Sequence, residues 1–348
     1  MNNSSPDTEQ HLAYIRGLQA SSGLFMASAA EVATGYNKAW LRDNFYTAMA
    51  FEAVEDWETV RRVWRTLLAV LAKHEDKITW AAANKPHASW QYIHARYHPE
   101  TFEEFWEEWG NKQNDAVGAI LFKLGELEMG GHGVIESEAD KRLIQKLIDY
   151  VQNIEYWHDP DAGMWEENEE VHASSIGAVV AGLKQIAQLD YIQVPNDLIA
   201  KGENALQSLL PRESHGKFSD LAQLSLIWPY QVANEEQIIE ILKNLEYHLE
   251  KERGIVRYKT DKYYNYNKDG WSEEAEWTFG FPWLAIICAE RGDLDKAREY
   301  LAKAEAVLTP ERKMPELYYS NTDKTNENVP LAWSQSLLVV AKIKLSQG

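Results

Sequence analysis

Val60-Arg61-Arg62-Val63-Trp64-Arg65-Thr66-Leu67-Leu68-Ala69-Val70-Leu71 decides the class of fold. Its apolar residues recur three and four positions apart, so one face of a 3.6-residue helix is apolar, while Arg61, Arg62 and Arg65 fall on the other. The same period runs outward over 48–54, 143–151, 176–186, 198–210, 238–249, 283–288, 297–308 and 330–345. Pro195-Asn196-Asp197, Ala233-Asn234-Glu235-Glu236 and Gly292-Asp293-Leu294 supply start signals for three of these helices. Gly254-Ile255-Val256-Arg257-Tyr258 is the best short strand. The pattern predicts about a dozen helices joined by alternating short and long connections. No Pro/Gly/Ser-rich linker breaks the chain, so 1–348 reads as one all-α domain with residues 1–6 as a flexible tail.

Composition narrows the function. Of 348 residues, 45% are hydrophobic and 26% charged, which fits a globular chain with a real core. The 35 basic and 54 acidic residues leave a net charge of −19, which argues against nucleic acid and anionic membrane as partners. Cys288 is the single cysteine and lies in an apolar run, so no internal disulfide or multi-thiolate metal site can form. The polar start lacks the apolar segment of a signal peptide, and no apolar run approaches the roughly 20 residues of a membrane span. The expectation is a soluble, cytoplasmic protein. Fourteen Trp, 17 Tyr and 9 Phe make a heavy aromatic load. Two readings fit it: amphipathic ligands such as sugars, or a helical core filled with indoles.

The long connections 40–44, 87–115, 157–170, 257–277 and 315–327 are rich in Trp, Tyr, Asp, Glu and Asn. Loops of that length in a compact domain are usually functional. In a closed ring of helix pairs they would emerge at one end and gather their acidic and aromatic residues around one pocket.

Four constellations stand out. In Trp40-Leu41-Arg42-Asp43-Asn44 a guanidinium fork sits beside a carboxylate, a pair suited to neighbouring hydroxyls; a helix cap with a surface arginine is the plain alternative. Asp161-Ala162-Gly163-Met164-Trp165-Glu166-Glu167 delivers an indole and two carboxyls after a turn. A carboxyl against an indole has a raised pKa and can act as a general acid near neutrality, whereas a solvated acidic helix start would carry the same residues. Met314-Pro315-Glu316-Leu317-Tyr318-Tyr319 offers either a buried base or a surface glutamate. Arg257 and Asp261, four apart among tyrosines, suit sugar hydroxyls or a bracing ion pair. The histidines show no metal-binding spacing, and P-loop, GxGxxG and GxSxG signatures are absent. A helical-repeat scaffold is the non-enzyme alternative, although no 34-residue period recurs.

In order, these pieces resemble glycoside hydrolase family 15, the glucoamylase family, whose barrel is shared with the phosphorylase kinase α and β subunits. The matching segments are Ser22-Gly23-Leu24-Phe25-Met26-Ala27-Ser28, Trp40-Leu41-Arg42-Asp43 and Trp109-Gly110-Asn111-Lys112-Gln113-Asn114-Asp115-Ala116-Val117-Gly118. Gly163-Met164-Trp165-Glu166-Glu167, Arg257-Tyr258 with Asp261, and Gly280-Phe281-Pro282-Trp283-Leu284 follow. Pro315-Glu316-Leu317 and Pro330-Leu331-Ala332-Trp333-Ser334-Gln335-Ser336-Leu337 complete them. The resemblance implies an (α/α)6 barrel and inverting, exo-acting release of β-glucose from the non-reducing end of α-glucosides, with oligosaccharide as partner and no cofactor or metal. By motif, Glu166 matches the general acid and Glu316 the general base. Trp40, Arg42, Asp43, Asp115, Trp165, Glu167 and Arg257 match sugar-binding positions. Glu316 must stay ionised, and Tyr318 and Tyr319 are the expected donors to it. His94-Ala95-Arg96-Tyr97 is a candidate lining for the aglycone side, with an ordinary structural role as the alternative. There is no room for the β-sandwich or starch-binding module found in some members, which points to short soluble oligosaccharides. Trp333-Ser334-Gln335-Ser336-Leu337 and Glu276-Trp277 look closer to the kinase-subunit branch, so a sugar-sensing or scaffolding barrel is the alternative function.

Overall fold

A computed structural model of the chain describes residues 5–29, 31–32, 34–107, 109–265 and 273–347. Residues 1–4 of the expected tail and 266–272 of the fourth long connection lie outside the described residues. Helix α1 (Pro6–Arg16) already begins inside the stretch expected to be tail, with Ser5 capping it through Thr8 N.

Six helices form an inner ring: α2 (Leu41–Ala53), α5 (Asn114–Met129), α7 (Ala173–Ile186), the single turn α9 (Leu224–Ile227), α11 (Gly280–Glu290) and α13 (Ala332–Gln347). Each packs on the next, and α13 closes back on α2. Outside lie α1, α3 (Trp57–Lys73), α4 (Glu75–Ala83), α6 (Glu138–Asn153), α8 (Asn196–Leu209), α10 (Glu235–His248) and α12 (Leu294–Ala306). This is the (α/α)6 barrel. Outer helices such as α3 and α6 are two-faced: Val60, Val63, Trp64, Leu67, Leu68 and Leu71 are buried, and the α3 arginines are not. The inner helices α2, α5, α7 and α11 are buried almost all round. Between α5 and α7 even backbones touch, because a Cβ on Gly118 would stand 2.4 Å from the Ala178 carbonyl carbon.

Two expected features differ. The stretch 40–44 is not a loop: Leu41 opens α2, and Asn44 ties that first turn down by donating to the Phe25 and Trp40 carbonyls. Gly254–Tyr258 is not a regular strand; Ile255 makes single bridges to Glu250 and Trp277, and Tyr258 one to Asp220. Of the three caps, Asn234 and Asp293 accept from Gln237 N and Lys296 N, while Pro195 offers no side-chain cap to α8. Two short antiparallel pairs, β1 (Ala39–Trp40) with β2 (Arg96–Tyr97) and β3 (Glu276–Trp277) with β4 (Leu317–Tyr318), clamp the long connections together at one end of the ring. Among the described residues no helix is long and apolar enough to cross a membrane.

Candidate active site

The connections meet around a pocket of about 450 Å³ lined by Trp40, Arg42, Asp43, Trp165, Glu166, Arg257 and Glu316, with Tyr36, Met164, Trp277, Phe279 and Trp333 filling its walls. Residues from four of the five connections reach it.

Arg42 and Asp43 come from the first turn of α2. Arg42 is buried, and its guanidinium is aimed by donation from Nη1 to Gln113 Oε1 (2.7 Å) and Asp115 Oδ2 (3.2 Å). Its Nη2 reaches Glu166 Oε1 at 3.3 Å. Asp43, buried beside it, has its carboxyl pushed up to about 6 by burial, against the pull of Arg42.

Glu166 stands on a tight turn. Its own φ is +64°, and Glu167 N closes the turn by donating to Ala162 O at 2.9 Å. The turn is rooted by Asp161, whose Oδ2 accepts from Asn114 N (2.7 Å) and Ser175 Oγ (2.8 Å), tying it to α5 and α7. Gly110 lies against it so closely that a Cβ there would stand 2.7 Å from the Glu166 carbonyl oxygen. Burial pushes the Glu166 carboxyl up to about 7, with Arg42 opposing. The neighbouring Trp165 indole is fixed by donation to Asp220 Oδ1 at 2.7 Å.

Glu316 arrives from the other side, just before β4, and is 2% exposed. Its Oε2 accepts from Asn328 Nδ2 at 2.7 Å and from Asn326 Nδ2. Burial raises its pKa, while the two amides and the Tyr36 hydroxyl favour the carboxylate. Tyr318, one of the two expected donors, is not among them: its hydroxyl turns away to the Val307 carbonyl. Tyr36 carried no periodic or motif signal; the two asparagines follow in the same connection.

Asp115 and Glu167 do not line the pocket, unlike the other expected sugar contacts. Both are buried behind an arginine. Glu167 accepts from Arg257 Nη2 (2.8 Å), Tyr258 Oη (2.5 Å) and Lys217 Nζ (3.1 Å), which fills three of its roughly four acceptor positions. Arg257 is also held by Asp261 through Nε (2.7 Å) and Nη2 (2.9 Å), and its guanidinium lies 4.4 Å from the Trp277 ring centroid. Arg257 thus makes the bracing ion pair and also lines the pocket. His94 lies outside this pocket, neutral at physiological pH because burial pushes its pKa down to about 3. Among the described residues no cluster of three His, Cys, Asp or Glu could hold a metal ion.

The site is thus a pocket with aromatic walls, two fixed arginines, a buried carboxyl at Glu316 and a half-buried one at Glu166. Comparison with known proteins places it. The skeletal-muscle phosphorylase b kinase regulatory subunit alpha of Oryctolagus cuniculus is 25% identical over 375 residues, 88% of this chain and 30% of that protein. A probable alpha subunit of Drosophila melanogaster is 26% identical over 398 residues, 94% and 31%. The chain spans about a third of the length of these relatives. A wild-type glycosidase shares the fold with a TM-score of 0.80 at 18% identity, covering 98% of this chain and 96% of that one. The glucoamylase from Saccharomycopsis fibuligera gives 0.71 at 15%, covering 97% and 94%. The sequence profile described as "Glycosyl hydrolases family 15" matches residues 12–346, so nearly the whole length, pocket included, belongs to that family.

Proposed function

We propose that the protein is an inverting, exo-acting hydrolase of short α-glucosides, with Glu166 as general acid and Glu316 as general base. One observation supports this: two carboxyls 150 positions apart line one pocket, Glu316 buried among amide donors and Glu166 half-buried with its pKa raised to about 7, so that much of it holds a proton near neutral pH. Glu166 gives its proton to the glycosidic oxygen as the bond from that oxygen to C1 breaks. A water loses its proton to Glu316 as its oxygen bonds to C1 from the opposite face. Arg42, Asp43 and Arg257 hold the terminal sugar's hydroxyls, and Trp40 and Trp165 pack on its apolar faces.

The alternative is a sugar-sensing or scaffolding barrel, favoured by the relatives that are kinase regulatory subunits. A panel of maltose, isomaltose, trehalose and maltotriose, read for glucose, separates the two. Hydrolysis predicts release from at least one sugar, with Glu166→Gln and Glu316→Gln each lowering kcat by about a hundredfold or more at unchanged folding. Saturable binding seen by Trp fluorescence, with no glucose formed by the wild type, would establish the alternative.

A further inference from the structure

His172 is a buried imidazole with no part in the reaction proposed above. It stands just before α7 and is 4% exposed. The connection 161–170 closes on itself, with Asp161 N donating to Glu170 O (2.8 Å) and Glu170 N to Asp161 O (3.0 Å). Two residues further on, the chain brings His172 back against Gly163. Gly163 has a φ of +63°, and a Cβ there would stand 2.8 Å from His172 Nε2, so the turn rests on the ring. The Gly163 carbonyl accepts from Glu166 N at 3.3 Å. The residue seated on the imidazole is therefore also the one that closes the turn of the acid.

Two buried carboxylates support charge on this ring. Its Nδ1 lies 3.4 Å from Oε1 of Glu213, which belongs to the connection between α8 and α9. Glu213 is 1% exposed, and the same oxygen accepts from Ser174 N (3.3 Å) and Ser174 Oγ (2.5 Å), which anchors it to the first turn of α7. The second carboxylate is Asp161, the root of the acid turn. Its Oδ2 is taken by Asn114 N and Ser175 Oγ, while its buried Oδ1 has no hydrogen-bond partner among the described residues. Burial disfavours a charged imidazole, yet Glu213 and Asp161 outweigh burial and the opposing Lys217 and raise its pKa to about 9. A neutral side chain here would leave Asp161 and Glu213 buried without their shared counter-charge.

We infer that His172 is a positioning residue for the general acid: its imidazolium seats the turn 161–166 and fixes the direction in which Glu166 faces the leaving oxygen. This rests on Glu166 being the acid, as proposed above. The test compares two substrates, the α-glucoside of the panel that the wild type cleaves best and α-glucosyl fluoride. Fluoride departs as a stable anion and needs no proton from the protein. His172→Asn keeps a donor near Glu213 but loses the charge and the part of the ring that lies against Gly163. It should lower kcat on the glucoside about tenfold or more with KM within about twofold, and leave kcat on the fluoride within about twofold. Glu166→Gln, measured alongside, should show the same asymmetry at larger size. Equal loss on both substrates in His172→Asn, as loosened packing would give, or no loss on either, overturns the inference and leaves the hydrolase reading intact. Glu213→Gln keeps the Ser174 bonds and removes the charge paired with the ring, so it should repeat the asymmetry at smaller size even where His172→Asn fails to fold. Equal loss or none in that variant overturns the inference as well. A wild type that cleaves neither substrate, or a Glu166→Gln variant equally impaired on both, overturns the acid assignment and the inference with it.

Discussion

A carboxyl that must carry a proton at neutral pH is costly to keep in its charged form, and Glu166 shows that cost in a measurable way. Burial moves its pKa from the usual 4.5 to about 7. The folded state therefore binds more protons than the unfolded chain between those values. The stability tied to this group is fully present below pH 4.5 and is lost as pH rises through 7. Glu166→Gln removes the group that loses it, so thermal denaturation should find the variant more stable than the wild type at pH 8, by about 1–3 kcal/mol, with the gap closing toward pH 5. The same pKa governs rate: kcat/KM should fall on the alkaline side with a midpoint near 7, as the acid loses its proton. A stability gap independent of pH would mean that Glu166 is ionised throughout and cannot be the acid.

At the scale of elements, each catalytic candidate is only as well placed as the connection that carries it. Glu316 depends on the segment beyond β4, where Asn328 is buried and donates to Oε2 while its own Oδ1 accepts from Thr34 Oγ1 at 2.6 Å. Asn328→Ala removes one of the groups that favour the carboxylate, so the acid limb of the pH–rate profile should move to higher pH. The alkaline limb should stay, and stability should fall by about 1–3 kcal/mol for the polar group left unpaired. An unmoved acid limb would show that another group controls it. Sequence periodicity finds α3 and α6 because one face of each meets water, but it leaves α1, α4 and α5 unmarked. The inner helix α5 is buried nearly all round, so no polar stripe sets its period. The polar first turn of α2 reads as loop for a related reason, since Arg42 and Asp43 are helical residues that face the pocket and Asn44 bonds back to the Phe25 and Trp40 carbonyls. The carboxyl and arginine pairs were legible as motifs. Which members face the pocket and which stand behind, Asp115 behind Arg42 and Glu167 behind Arg257, depends on side-chain pairing between distant segments, and spacing along the chain carries no record of it.

At the scale of the whole molecule, ring closure sets how a polymer could be used. The inner helices bring Tyr46, Phe279 and Trp333 into one stack, with ring centroids at 4.5 Å for Tyr46–Trp333 and 4.8 Å for Phe279–Trp333. Trp333 and Phe279 line the pocket and Tyr46 backs them, so the stack closes its floor. A pocket with a floor admits a chain end and excludes a chain that must pass through. Maltotriose should therefore be shortened one unit at a time, with glucose and maltose as the only initial products. In the proposed scheme a water activated by Glu316 attacks C1 from the face opposite the leaving oxygen, which would invert C1. Proton NMR during the first minutes of reaction should find the new glucose as the β-anomer, drifting to equilibrium only afterwards. First-formed α-glucose would require one of the two glutamates to attack C1 directly, which the amide-held, water-activating role assigned to Glu316 does not allow. That outcome would leave the barrel and its sugar pocket standing while overturning the division of labour between the two carboxyls.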